Sequence, residues 1–196
     1  MKRILIVSLM MAGSFLPAYA QGPLLAGQST EARFSAGYQY LSFKVPSGSS
    51  VPMHGTTADF SVDYGKRLGV RVEAGYGYAT GLYGGGYDAR MLSYLGGPVL
   101  YAYKSERVVL TGELLLGGAK IDGTVPGTTQ DYKVMANKFA WAVGGGAEIR
   151  ISPSTGIHVG VDYLHTAYFD ANLAVAGQSN LRGTASIVHV FGRRGY

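Results

Sequence analysis

The residues that could carry chemistry in this chain are four histidines, twelve aspartates and glutamates, and a scatter of serines; there is no cysteine. Ester hydrolysis would need a histidine beside a serine, with an acid to orient the ring. His54 and His165 fall near one end of the strands assigned below, and His158 and His189 near the other. His165 is followed by Thr166 rather than a serine, so no triad assembles from the sequence, and each histidine reads as an interfacial residue. No His/Asp/Glu spacing fits a metal site. The glycine runs at 84–86 and 144–146 lack the Lys-Ser/Thr of a phosphate loop. No catalytic residue, metal or cofactor is therefore expected.

The charges carry more information than the histidines. In the hairpin Lys138–Thr166, Phe139, Trp141, Val143, Ala147 and Ile149 share one face of the first arm. Ile157, Val159, Val161 and Tyr163 share one face of the second. A period of two is strand periodicity, and Ser152-Pro153-Ser154-Thr155-Gly156 is turn chemistry. The opposite face is small and polar, yet it holds Lys138, Glu148, Arg150 and Asp162 in mid-strand. A soluble sandwich buries its apolar face; a transmembrane barrel turns that face to lipid and encloses the polar one.

The first residues set the compartment. Lys2 and Arg3, the apolar run Ile4–Met11 and the small-x-small site Ala18-Tyr19-Ala20 form a secretory signal peptide over residues 1–20. Removing Lys2 and Arg3 lowers the basic count from 17 to 15, against 12 acidic residues. The remaining surplus is small and scattered, so nucleic acid is not an expected partner. Thirty glycines and fifteen tyrosines suit strands that curve tightly and carry interfacial rings.

Residues 21–196 then read as one domain of eight strands: Glu31–Phe43, Thr56–Tyr64, Val70–Tyr78, Met91–Tyr103, Val108–Ala119, Lys138–Arg150, Ile157–Thr166 and Asn180–Phe191. Gly96-Gly97-Pro98 predicts a bulge in the fourth. The connectors alternate long and short. An even strand number with long external loops and short periplasmic turns marks an outer-membrane barrel, here an all-β, eight-stranded antiparallel transmembrane up-and-down barrel with both termini periplasmic. Its lumen receives Arg33, Asp59, Asp63, Arg71, Glu73, Glu113, Lys138, Glu148, Arg150, Asp162 and Arg182. The near balance of sign predicts an ion-paired packing network; a selective pore would show rings of one sign.

The segments FSAGYQYL, YLGGPVLYAY, ELLLGGA, FAWAVGGGAEIRIS, VGVDYLHTAYF and QSNLRGTASIVHVFG, in this order behind a signal peptide, resemble the OmpA-like eight-stranded outer-membrane β-barrel family over the whole mature chain. The resemblance implies insertion by the barrel-assembly machinery, which reads a terminal aromatic; Phe191 is that residue, or Tyr196 in the extension that follows. It also implies outer-membrane lipid and lipopolysaccharide as surroundings. The expected role is structural or surface-exposed, in membrane integrity or adhesion. Connectors 44–55, 79–90, 120–136 and 167–179 would do the contacting, with Tyr83, Tyr87, Tyr132, Tyr168 and Phe169 as contact residues. A narrow porin-like channel and a lipid-modifying enzyme are the alternatives.

Overall fold

The computed structural model describes residues 31–44, 50–82, 87–125, 132–167 and 178–192. The leader, Tyr83, Tyr168, Phe169 and Tyr196 lie outside the described residues. The strands are β1 (Glu31–Lys44), β2 (Ser50–Tyr64), β3 (Leu68–Leu82), β4 (Tyr87–Lys104), β5 (Val108–Val125), β6 (Tyr132–Arg150), β7 (Thr155–Thr166) and β8 (Gln178–Gly192). Each pairs antiparallel with its sequence neighbours, and β1 also pairs with β8, from Glu31 opposite Gly192 to Ser42 opposite Leu181. The ladder closes into a barrel in chain order. Closure matters because lipid offers no hydrogen bonds to an open strand edge.

Side chains alternate as the sequence requires. In β7, His158, Gly160, Asp162, Leu164 and Thr166 are buried, whereas Val159, Val161 and Tyr163 are exposed. In β3, Arg71 and Glu73 are buried and Val72 is 54% exposed. The outward aliphatics Val72, Leu114, Leu116, Val143, Val161 and Ile187 are all exposed, forming a band with no protein against it. Tyr64 and Tyr103 flank this band beside the short turns, and Tyr38, Tyr78 and Tyr94 flank it toward the other end, as interfacial aromatic girdles do.

The strands run 12 to 19 residues, longer than the ~9–11 that cross a bilayer. The turns Gly65–Arg67, Ser105–Arg107 and Ile151–Ser154 are tight, so the excess length projects from the opposite, external end. Much of what reads as loop in the sequence is therefore strand: Ser50–Gly55 belongs to β2, Lys120–Val125 to β5, and Tyr132–Ala136 to β6. Tyr87 and Tyr132 lie in strands rather than loops. Polar residues and glycines in these stretches break the alternation, although Met53 still packs inside the barrel.

The bulge also sits elsewhere. The β4–β5 register is the same at Gly96 and Val99, on both sides of Pro98, and shifts between Tyr101 and Tyr103. The outward-facing Pro98 is tolerated within the ladder, and the irregularity falls where β4 nears its turn.

Gly65 has φ 73° in the β2–β3 turn. A Cβ in this left-handed conformation costs roughly 1–2 kcal/mol. Gly65→Ala is expected to lower the urea unfolding midpoint in lipid vesicles by that equivalent, and an unchanged midpoint would contradict the strained turn.

Candidate functional site

The enclosed charges form two tiers along the barrel axis. The tier nearer the turns centres on Glu31, at the start of β1. Its Oε2 accepts from Arg33 Nη2 at 2.6 Å and lies 3.0 Å from Lys104 Nζ and 3.3 Å from Arg150 Nη2. Asp63 accepts from Arg33 Nη1 at 2.8 Å and from Lys104 Nζ at 2.7 Å. Glu148 accepts from Arg150 Nε at 3.2 Å, with its other oxygen 3.6 Å from Arg33 Nε. Tyr101 completes the tier: its hydroxyl accepts from Arg33 at 2.7 Å, and its ring centroid lies 4.8 Å from the Arg33 guanidinium carbon. Three bases thus face three acids.

The second tier sits at mid-barrel. Arg71 pairs with Asp59 at 3.4 Å and with Glu113. Arg182 donates through Nε to Asp162 at 3.0 Å and through Nη1 to Glu73. Ser35 donates to Asp59. Here two arginines serve four carboxylates, each guanidinium holding two of them, as its fork of donors allows. The glycine run of β6 makes room: a Cβ on Gly144 would collide with Asp162, and one on Gly146 with His158.

Above this tier lies an apolar cluster. Leu41, Met53, Met91, Leu95, Leu115 and Leu164 pack with Phe43 and alanines of β3, β5 and β6 into one cluster, and Leu41, Leu115 and Leu164 are fully buried. The sequence predicts a polar inward face; in the outer half that face is mixed, with uncharged polar side chains buried beside the cluster, among them Asn180 opposite Leu164, Thr166 opposite Gln178, and Gln39.

Arg33, Asp59, Asp63, Arg71, Glu73, Glu113, Glu148, Arg150, Asp162 and Arg182 all lie in the two tiers. Lys138 does not. It has inward parity, opposite Ala119, but it is exposed and makes no ion pair among the described residues. It lies beyond the apolar cluster, at the external mouth.

Glu31, Tyr101 and Lys104 join the tier without being among the residues that the sequence pattern assigns to the lumen. Glu31 shares the parity of Arg33, so its signal was present. Lys104 was hidden by the bulge, which turns it to the same side as Tyr101 despite the odd spacing.

The histidines divide as their faces dictate. His54 meets Tyr38 and Tyr40 on the outer wall. His165 stacks on Trp141 with centroids 5.2 Å apart, and its Nδ1 lies 3.2 Å from Ser179 Oγ, its cross-strand neighbour. A histidine does meet a serine here, across the β7–β8 pair, but no carboxylate is bonded to the two among the described residues. His158 is buried in the lumen. His189 packs on Phe191, which faces outward at the end of β8. Among the described residues no group of His, Asp and Glu is placed to hold a metal ion.

A closed antiparallel barrel coated in aliphatics, ringed by tyrosines at both ends and ion-paired along its axis is an integral membrane β-barrel. The chain belongs to the outer membrane protein beta-barrel domain family, whose model matches residues 6–193, and it is a protein of the outer membrane. Among solved structures it is similar to Ail, the attachment invasion locus protein of Yersinia pestis, at 17% identity over 84% of this chain and 99% of that one, with a TM-score of 0.60. Neisserial surface protein A is similar at 11% identity over 83% and 97%, with a TM-score of 0.60. OprG of Pseudomonas aeruginosa is similar at 10% identity over 85% and 98%, with a TM-score of 0.51. These likenesses are likenesses of fold. No curated protein matches the chain.

Proposed function

We propose that this protein is a non-conducting barrel that anchors and presents its external connectors at the cell surface, in membrane integrity or adhesion. One observation carries the reading. The outer half of the lumen holds a packed aliphatic cluster in which Leu41, Leu115 and Leu164 are fully buried, stacked on a mid-barrel tier whose charges are already paired. An ion crossing this barrel would lose its hydration in the packed layer and meet only uncharged amides and hydroxyls there, among them Asn180 and Gln178, with no unpaired charge in that layer among the described residues to offset the loss. The space suits packing rather than passage, as an eight-stranded interior does. The charge network is then scaffolding, and the projecting ends of β2–β6 raise the connectors above the lipid. The attachment protein from Yersinia pestis, similar in fold, makes adhesion the leading form of this role. Insertion through recognition of Phe191 by the barrel-assembly machinery belongs to the same proposal.

Planar-bilayer recording tests it. The purified barrel is expected to give no unitary current steps, whereas Leu115→Ser combined with Leu164→Ser, which wets the packed layer, gives small ones. Stable steps from the wild type would replace this reading with the narrow-channel alternative. The adhesive form predicts that shortening connectors 45–49, 83–86, 126–131 and 168–177 abolishes cell attachment while leaving heat-modifiable gel migration intact.

A further inference from the structure

We infer that the short-turn end of the barrel is a binding rim for the phosphate headgroups of acidic phospholipids in the periplasmic leaflet. The inference rests on the membrane placement above and adds a lipid preference to it. Lys66 and Arg67 in the β2–β3 turn and Arg107 in the β4–β5 turn are exposed, and none of the three makes an ion pair among the described residues. They contrast with the three bases just inside the wall, all of which are consumed by carboxylates. Glu106 is the one acid in these turns.

Their positions are fixed by backbone bonds that tie each turn to the next strand. Tyr101 N donates to Arg67 O at 2.7 Å, and Arg150 N donates to Arg107 O at 2.8 Å. The two turns stand side by side on the rim, because β3 pairs with β4 from Leu68 opposite Leu100 upward. Just above the charges, Tyr64 (52% exposed), Leu68 and Tyr103 face outward. Tyrosine marks the interface between hydrocarbon and headgroups, so the cations sit at headgroup level, where their apolar stems can lie along the wall.

The external end is less one-sided. There Lys44, Arg90 and Lys120 are exposed with outward parity among Asp88 and Asp122, three bases against two acids, and Arg90 lies directly opposite Asp122. A basic residue near an anionic bilayer surface contributes on the order of a fivefold preference. Three such residues against one acid make the periplasmic rim the selective one.

The test reconstitutes the full barrel in nanodiscs of phosphatidylcholine mixed with phosphatidylglycerol and measures the ratio of the two lipids retained on the protein by native mass spectrometry. The wild type is expected to enrich phosphatidylglycerol at least about fivefold, and high salt to erase the enrichment. Lys66→Gln, Arg67→Gln and Arg107→Gln together are expected to abolish it, while Arg90→Gln with Lys120→Gln leaves it in place. Equal ratios for wild type and triple variant overturn the inference. So does competition by free inorganic phosphate, which would make the site one for the free ion. Binding of purified peptidoglycan lost in the triple variant, without any lipid preference, would assign the rim to another partner. Heat-modifiable migration of the triple variant in pure phosphatidylcholine shows separately that the barrel still inserts, so the membrane placement survives a negative result.

Discussion

Arg182→Ala is expected to destabilise the barrel by roughly 3–5 kcal/mol, the range for breaking a buried ion pair from one side. Arg182 is fully buried and bridges β8 to two carboxylates on different walls, Asp162 of β7 and Glu73 of β3. Its removal leaves the mid-barrel tier with Arg71 alone against four acids, in a space with no bulk water to solvate them. Arg182→Lys should recover only part of the loss, since an ammonium cannot present the planar fork that holds both partners. The acids behave differently. Asp162→Asn removes one of four carboxylates from a tier already short of bases, so it is expected to cost much less than the arginine change. Adding Glu73→Gln to Arg182→Ala should restore part of the lost stability, a coupling that a double-mutant cycle isolates. Guanidinium unfolding in lipid vesicles, followed by tryptophan emission from Trp141, measures all four. If Asp162→Asn proved as damaging as Arg182→Ala, the tier would be held by its acids one by one rather than by the arginine that joins them.

This asymmetry also shows what the sequence could disclose. The ten tier residues shared between sequence and structure were legible because β-strand parity is a strict rule and the lipid face admits no charge. Any charge on the parity opposite an aliphatic run had to point inward. Parity fails where the backbone breaks step. Lys104 was lost to the bulge between Tyr101 and Tyr103, which sequence signalled only through the misleading Pro98. Parity puts Lys138 inward, and the structure leaves it exposed, because periodicity does not say how far along the axis the packed interior extends. Parity places Leu115 and Leu164 on the inward face, but it does not disclose that Leu41, Met53, Met91 and Leu95 of other strands meet them there in one cluster. Pairing among the charges was likewise unreadable, since Glu31 and Arg150 are brought together by the closure of the barrel and not by any local spacing.

The same parity yields the second large effect, on the opposite face. Leu114→Arg places a guanidinium on the lipid side of β5 near mid-wall, where Leu114 is 46% exposed and opposes Val143 of β6. A cationic side chain at the bilayer midplane costs roughly 2–4 kcal/mol, falling to about 0–1 near the interfaces. Leu110→Arg, four residues nearer the Ser105–Arg107 turn and also outward-facing, should therefore be mild because its guanidinium can reach the headgroups. A depth-dependent loss of this kind distinguishes a lipid-facing wall from an ordinary exposed one: on a soluble barrel both arginines would sit in water and neither would matter. The measurement is the unfolding free energy of the two variants in the same vesicles. A cost at Leu114 no greater than at Leu110 would mean that this band does not lie in hydrocarbon, and with it would fall the assignment of inside and outside on which the lumen network rests.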